Sequence, residues 1–321
     1  MSVPIDAIGE AQYELIVCDD PGSAAHAVGI GLELLIKLEL MPAFSMNVAS
    51  TTRSSDSGCL ARMRDKTSTF AIMDRTVMGS ERKGLHSSGD QPDIRPLLIA
   101  ALWQQAAHFV IAKDHLLSGT IGDFALLSTD QLIVDPALLS GASQLLAKAG
   151  IMVDQNADDL PPAWPEALVE RFNRGVTVGV AVLEPVPSAP VTEFLAKTGD
   201  RAILLELSAR HILADGVGWQ PVRIPASIYP HIDRPIETFG DRFMLVAEAD
   251  VADEAVYQVT KIMFDNLPRL RLVHEIATQI SIDHALEDAA LPLHPGAARY
   301  YREIGVLPYE AGASKNNRAV D

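Results

Sequence analysis

Two adjacent carboxylates and a nearby histidine form the first group of residues that could do chemistry. Asp19 and Asp20 could act as an acid–base pair, because one of two close carboxyl groups has its pKa raised by the other. His26 could then move a proton near neutral pH. Structural roles are open as well, since one aspartate could cap the following helix and His26 could simply pack against its surroundings.

A second group could bind a ligand without reacting with it. Arg53 could clamp a carboxylate with two hydrogen bonds, or it could be an exposed loop arginine. Trp103 with Gln104 could offer a flat ligand a stacking face and an amide, or could belong to the core. His108 could contact the ligand or serve the structure. The other candidate ligand-binding residues are hydroxyl and carboxyl side chains of predicted loops: Ser23, Thr52, Ser54, Ser55, Asp74, Thr129 and Asp130.

Metal and cofactor sites find no support in the sequence. The nine histidines include no i,i+4 pair, and neither cysteine has a nearby partner with metal-ligand spacing. No Gly-x-Gly-x-x-Gly motif or phosphate-binding lysine loop occurs. We therefore predict neither metal nor cofactor. Cys18 and Cys59 could pair, but two cysteines in 321 residues are no disulfide framework, so we expect free thiols. Cys18, at a predicted strand end, could then be reactive.

The elements that must position these residues are short strands alternating with helices. Strands are predicted at residues 13–18, 45–49, 69–73 and 124–127, and helices at 24–40, 136–149, 166–174, 253–266 and 268–279. Such alternation predicts an α/β fold with parallel sheets, whose ligands bind at the carboxyl ends of the strands. The cleft loops would then be residues 19–23, 51–57, 74–75 and 128–130.

The pattern restarts near residue 113 and returns near residue 223, which predicts two lobes with a ligand cleft between them. Residues 1–112 together with 223–321 would form lobe 1, and residues 113–222 would form lobe 2. Two lobes joined in this way can close on a ligand by a hinge motion.

Several motifs, in the same order along the chain, resemble the TAXI family of solute-binding proteins, which serve TRAP-type transporters. Residues 102–111 (LWQQAAHFVI) are similar to the family's Leu-Tyr-Pro-Glu-x-x-His-Leu-Val-Val, and 229–230 to its Tyr-Pro turn. Residues 256–261 (VYQVTK) resemble its Val-Tyr-x-x-Thr-Lys helix, and 293–305 its terminal helix. The resemblance implies a two-lobed type II periplasmic-binding-protein fold. The chain departs from the family in the glycine-rich loops after its first two strands.

The resemblance implies a binding protein that holds a small organic, carboxylated ligand and delivers it to TRAP-type membrane subunits. The alternative is a cofactor-free lyase or decarboxylase on the same scaffold, acting on a carboxylated substrate, aromatic ones included. Arg53 would then hold the carboxylate, while Asp19, Asp20 or His26 moves the proton.

The net charge and the hydropathy of the chain limit its possible binding partners and its expected cellular location. A net charge of −16 argues against nucleic acid and anionic membrane surfaces. No apolar run reaches the roughly 18 to 20 residues that span a bilayer, so we expect no direct membrane insertion. Residues 1–12 lack the pattern of a secretory signal. As written, the protein is expected to be cytoplasmic; it would be periplasmic if a leader had been removed.

Overall fold

A computed structural model describes residues 11–42, 44–51, 59, 61–63, 69–74, 95–135, 138, 142, 146–147, 164–207, 219–287 and 291–308. The strands are β1 (Ala11–Val17), β2 (Phe44–Ser50), β3 (Thr69–Asp74), β4 (Pro96–Ala112), β5 (Leu132–Val134), β6 (Gly179–Pro185), β7 (Ala202–Leu204), β8 (Gln220–Ile224) and β9 (Ile236–Glu248). The helices are α1 (Ala24–Leu40), α2 (Ile121–Phe124), α3 (Glu166–Asn173), α4 (Ala189–Thr198), α5 (Asp253–Asp265), α6 (Leu267–Val273) and α7 (Pro295–Glu303).

The nine strands within the described residues belong to one mixed sheet, in the order β2-β1-β3-β9-β4-β6-β5, with β7 paired to β4 and β8 to β9. The β1–β2, β1–β3 and β5–β6 pairs are parallel. The expectation of purely parallel sheets is wrong, because β4 and β9 pair antiparallel with each other and with their outer neighbours. The apolar residues 96–112 form the single long strand β4, which is buried along most of its length.

Strands β4 and β9 are the described elements that both lobes share. The first half of β9 pairs with β8, and its second half, from Phe243 onward, pairs with β3. Along β4, pairing with β6 begins at Gln105. The two lobes therefore lie on one continuous ladder rather than on separate sheets.

Alternate residues of the strands supply hydrophobic clusters on opposite faces of the sheet, as strand geometry requires. Leu15 belongs to a cluster with α1, α5 and α7, whereas Ile16 belongs to a cluster on the other face. Phe109 and Val110 are divided between two further clusters in the same way. These four clusters fall into two pairs along the chain, one pair for each lobe; below, lobe 2 means the part of the molecule packed around the pair that contains Phe109 and Val110, which also includes Tyr229. The lobe limits predicted at residues 112 and 222 stay a prediction.

Helix α1 illustrates how sequence dictates a local element. Its buried residues, among them Val28, Leu32 and Leu35, recur every three or four positions and form one apolar face. The Ser23 hydroxyl accepts the His26 N–H at 3.2 Å and caps the first turn. The helix covers the predicted residues 24–40. The helix predicted near the carboxyl terminus is also confirmed, and Gly305 beyond it has a φ of +79°.

Other predictions need correction. Residues 124–127 were expected to form a strand, but Ile121–Phe124 is a helical turn; its Asp123 carboxylate accepts the N–H groups of residues 117–119 and fixes the preceding loop. The helix predicted over 268–279 is broken at His274 into α6 and a short 3₁₀ helix, Glu275–Gln279. The helix predicted over 136–149 lies largely outside the described residues.

Cys18 and Cys59 form a disulfide, with their Cα atoms 5.5 Å apart, so the expectation of free thiols is wrong. Sequence spacing could not reveal the pair, because 41 positions separate the two residues. Both side chains lie in the cluster that contains Ile16, where the fold brings them together.

Within the described ranges, no helix is long and apolar enough to cross a membrane.

Candidate functional site

The candidate site is a cavity of about 770 Å³ with walls from both lobes. One wall is the loop between β1 and α1, at Gly22 and Ala24. The second is the loop between β6 and α4, with the first turns of α4. The third is the segment from His274 to Gln279. The walls lie at the carboxyl ends of β1 and β6, which is where ligands bind in α/β folds.

The lobe 1 wall is held by its own side chains. Gly22 has a φ of +90°, in the left-handed region that favours glycine. The His26 Nδ1 atom accepts the Gly22 N–H at 3.0 Å, and the Ser23 N–H is donated to the Asp20 carbonyl at 3.0 Å. Ser23 and His26 thus fix the loop at the cavity. Because Nδ1 accepts a hydrogen bond, the proton of a neutral His26 ring is on Nε2.

The predicted acidic residues of lobe 1 lie together at this edge of the sheet. Asp19 is buried and its Oδ1 atom accepts the Asp20 N–H at 2.9 Å, whereas Asp20 itself is exposed. Asp74 is buried at the carboxyl end of β3, the strand that pairs with β1. The two adjacent aspartates therefore have different environments. Four other predicted residues of this loop cluster, Thr52, Arg53, Ser54 and Ser55, lie outside the described residues.

The lobe 2 wall is organised by Ser188, which precedes α4. Its Oγ atom accepts the Val191 N–H at 3.3 Å, and its carbonyl accepts the Thr192 N–H at 2.9 Å. Its hydroxyl lies 3.2 Å from the Glu184 carboxylate, to which it donates. Glu184 lines the cavity and is half-buried. Ser188 therefore connects the cap of α4 with a charged group of the cavity wall.

Behind this wall lies a buried pair, Tyr229 and His108. The Tyr229 hydroxyl is 3.0 Å from His108 Nε2 and accepts the Ser188 N–H at 3.1 Å. Burial lowers the pKa of His108 to about 4, against the opposing effect of hydrogen bonds to backbone groups of Ala106 and Val182. His108 is thus neutral at physiological pH. It lies in the interior of lobe 2 rather than in the cavity wall.

The third wall provides a contact between the lobes. Gln279 Nε2 donates to the Val186 carbonyl at 3.1 Å, so a residue packed with lobe 1 is bonded to the lobe 2 loop. His274 Nδ1 accepts the Ile276 N–H at 3.1 Å and caps the 3₁₀ helix. The hydrogen bond from Gln279 joins two walls of the cavity directly.

The charges of the described lining are unevenly distributed. Glu184, Glu193 and Glu275 supply carboxylates, and the described lining residues include no lysine or arginine. Glu193 is paired with Lys197 on the next turn of α4. Positive partial charge comes from the first turns of α1 and α4, where backbone N–H groups point along the helix axis. A ligand carboxylate would therefore be stabilised near those helix starts and repelled by the glutamates.

The structure places the remaining predicted residues away from this cavity. Trp103 is buried in the lobe 1 core, where its ring stacks on Phe243 at 4.9 Å. Gln104 is half-buried on β4, opposite Arg242 of β9. Thr129 and Asp130 are exposed and precede β5, at the end of the sheet opposite to the β6 carboxyl end. Among the residues that the structure describes, no group of three or more ligating side chains could hold a metal ion.

Sequence reasoning missed Glu184, Ser188, Tyr229 and Gln279 as site residues. A usable signal exists for Glu184 and Ser188, because the apolar run at residues 176–183 (VTVGVAVL) is typical of a buried strand and these two residues follow it, where a strand's carboxyl end borders the cleft. Tyr229 and Gln279 reach the site from distant segments, and no local pattern indicates this.

Comparisons with solved structures show the fold. MatC from Rhodopseudomonas palustris, solved with bound malate, matches with a TM-score of 0.51 and 12% identity, over 91% of this chain and 96% of that one. The periplasmic binding protein BugD matches with a TM-score of 0.49 and 10% identity, over 91% and 94%. A TctC solute-binding protein from Polaromonas gives 0.45 and 17%, over 92% and 98%.

The similarity to MatC agrees with the two-lobed type II periplasmic-binding-protein fold expected from the sequence. The TAXI subtype stays a prediction. Residues 21–305 match the model of the NMT1-like family. This match covers most of the chain, from the loop after β1 to just beyond α7. The chain therefore belongs to the NMT1-like family.

Proposed function

We propose that this protein binds a small organic acid in the cavity between its lobes and supplies it to a membrane transporter of the TRAP type. The observation that carries the proposal is the cavity itself, because its walls come from both lobes and include the starts of α1 and α4. The ligand-binding role follows from the family and fold. The carboxylate and the TAXI-like transporter partner are the specific parts of the proposal.

A carboxylate is supported by the backbone at the two helix starts. Helix N-termini stabilise anions through backbone N–H groups and the helix dipole. Gly22 and Ala24 bring the start of α1 to the cavity, and Ala189 and Pro190 bring the start of α4. Because Pro190 has no N–H, and the Gly22 and Val191 N–H groups are donated to His26 and Ser188, the contribution of these residues is mainly that of the helix dipoles. Malate is the ligand of MatC, which makes it a suitable first probe. The three glutamates of the lining favour an acid with few carboxylates over a polyanion.

The disulfide supports a location outside the reducing cytoplasm. Disulfides persist in oxidising compartments and are rare in cytosolic proteins. The Cys18–Cys59 bond joins the residue after β1 to a residue 41 positions later. We therefore propose that the protein works in the periplasm. Alkylation of the native protein in cell fractions tests this, because modified thiols at both positions would contradict it.

Isothermal titration calorimetry with L-malate, succinate, citrate and benzoate tests the binding role. We expect one site per chain for at least one acid, and no binding of its methyl ester. Ala189→Phe places a large side chain at the cavity and should weaken binding by at least about tenfold, equivalent to about 1.4 kcal/mol. Thr129→Phe, an exposed site at the opposite end of the sheet, is the matched control and should bind normally.

Equal affinities of wild type and Ala189→Phe would contradict binding at this cavity, and failure of every acid to bind would contradict the carboxylate. The cofactor-free lyase stays a prediction. Mass spectrometry of the same mixtures tests it, because a decarboxylated product that disappears in Asp20→Asn or His26→Ala would replace binding with catalysis as the function.

A further inference from the structure

We infer that Tyr229 and His108 are positioning residues of the binding site, which hold Ser188 and, through it, the Glu184 carboxylate in the lobe 2 wall. The inference rests on the proposed function in taking the cavity as the ligand site. It concerns side chains that do not line the cavity themselves. Their effect on the ligand is transmitted through one continuous series of hydrogen bonds.

The series begins in the interior of lobe 2, where its direction is fixed by a backbone carbonyl. His108 is fully buried and its Nδ1 atom lies 2.8 Å from the Ala106 carbonyl oxygen. A carbonyl oxygen can only accept, so Nδ1 carries the proton of the neutral ring. The other nitrogen, Nε2, is then an acceptor. The imidazole therefore presents a lone pair to Tyr229.

The Tyr229 hydroxyl is the second step. With Nε2 as acceptor at 3.0 Å, the hydroxyl donates its single proton to His108 rather than to the Pro185 carbonyl at 3.4 Å. Its oxygen then accepts the Ser188 N–H at 3.1 Å. Tyr229 is only 3% exposed, and burial raises the pKa of its phenol above the ordinary range, so the hydroxyl keeps its proton.

Ser188 carries the series into the cavity wall. Its N–H is donated to Tyr229, which sets the orientation of the peptide before α4. Its hydroxyl accepts the Val191 N–H and donates to Glu184. Every donor in this series meets an acceptor: the Ser188 N–H, Tyr229 and His108 each donate toward Ala106, and the Ser188 hydroxyl donates toward Glu184. A shift of the Tyr229 hydroxyl would therefore move both the start of α4 and the Glu184 carboxylate.

The backbone around Tyr229 is held in a conformation that suits this role. Ser227 and His231 have φ values of 62° and 63°, in the left-handed region that non-glycine residues rarely adopt. The Ser227 N–H is donated to the Ile232 carbonyl at 2.7 Å, which closes the turn around Tyr229. Strain of this kind persists only where surrounding structure fixes it. The phenol is thereby delivered to a defined position behind the wall.

A purely structural pair would stabilise lobe 2 without affecting the cavity. The two roles are separated by Tyr229→Phe, which removes one oxygen and leaves the ring. Tyr257→Phe is the matched control, because the Tyr257 hydroxyl is donated to Glu303 on the surface of lobe 1. Amide hydrogen exchange of the segment 186–192 reports the Ser188 N–H without any ligand, and α5 serves as the internal reference.

With Tyr229→Phe we expect faster exchange in residues 186–192, unchanged exchange in α5, and an affinity for L-malate lower by about tenfold. Tyr257→Phe should change neither. Unchanged exchange in 186–192 would overturn the inference whether or not L-malate binds. If wild type binds L-malate, an unchanged affinity in Tyr229→Phe together with a lowered melting temperature would show a structural role only and would also overturn it.

A second pair of variants tests the His108 step. His108→Gln keeps an uncharged acceptor for the Tyr229 hydroxyl, whereas His108→Leu removes it. We expect normal exchange in 186–192 for His108→Gln and fast exchange for His108→Leu. Equal protection in both variants would remove His108 from the series. Failure of wild type to bind any acid would contradict the proposed function alone, because the exchange measurements do not depend on it.

Discussion

Replacement of His108 by glutamine should make the stability of this protein less sensitive to acid. In the folded state burial lowers the pKa of His108 from 6.5 to about 4. In the unfolded chain the imidazole is hydrated and regains its ordinary pKa. Between these two values the unfolded chain binds one more proton than the folded chain, so the free energy of unfolding falls as the pH falls. His108→Gln has no proton to bind.

The size of the effect follows from the two pKa values. Well above pH 6.5, His108 is neutral in both the folded and the unfolded state, so its protonation does not reduce the free energy of unfolding. As the pH falls from 7 to 5, protonation of the unfolded state should reduce the free energy of unfolding by about 2 kcal/mol, approaching about 3 kcal/mol near pH 4. The groups that face the ring, the Tyr229 hydroxyl and the Ala106 carbonyl, do not titrate in this range.

Urea unfolding of wild type and His108→Gln at pH 7, 6 and 5 measures the difference. Other groups with shifted pKa values, such as the buried His294, are present in both proteins, so their effects cancel. We expect wild type to lose about 2 kcal/mol more than the variant between pH 7 and pH 5. Parallel pH profiles would refute the reasoning, because they would mean that His108 titrates equally in the folded and unfolded states.

Three further predictions follow from contacts described above. Asp123→Asn replaces a buried carboxylate that accepts the N–H groups of residues 117–119, and should lower the free energy of unfolding by about 1–3 kcal/mol in urea titrations; no change would mean that the loop is held otherwise. Gln279→Ala removes the hydrogen bond to Val186 between the lobes and should increase the radius of gyration in X-ray scattering, with Gln104→Ala as control. Reduction of Cys18–Cys59 should lower stability by about 2–4 kcal/mol, whereas the Cys18→Ser, Cys59→Ser double variant should not respond to reductant.

The local elements were predictable because each one carries its own pattern. The apolar spacing of α1 and the serine that caps it lie within one segment, and α7 is bounded by Pro295 and Gly305 in the same way. The direction of the strands was not predictable. Strand β9 follows β3 by nearly 170 residues, and its direction depends on how the chain returns to the sheet. No local sequence pattern indicates that direction.

Only part of the candidate site could be predicted from the sequence. Asp19, Ser23 and His26 follow a recognisable strand, so the rule for strand ends places them in the loop and first turn whose Gly22 and Ala24 line the cavity, and their role in binding stays a prediction. The same rule was applied to residues 128–130 because a strand was predicted at 124–127, where the structure has a helical turn ending at Phe124. Tyr229 reaches Ser188 across 41 positions, which only the folded chain reveals.

The ladder formed by β4 and β9 has a mechanical consequence for the way the cavity opens. If flexible linkers connected the two lobes, the cavity could open freely. Here both connections are neighbouring strands, β4 and β9, which are hydrogen-bonded to each other from Pro96 to Ala106 of β4. At Gly240 the two strands pack so closely that a Cβ atom would lie 2.0 Å from the Gln105 carbonyl oxygen. Opening must therefore bend a two-stranded ribbon, whose resistance grows with the angle. A larger ligand requires a wider opening and so a larger bending energy. Affinity should therefore fall gradually with ligand size, without a sharp size limit.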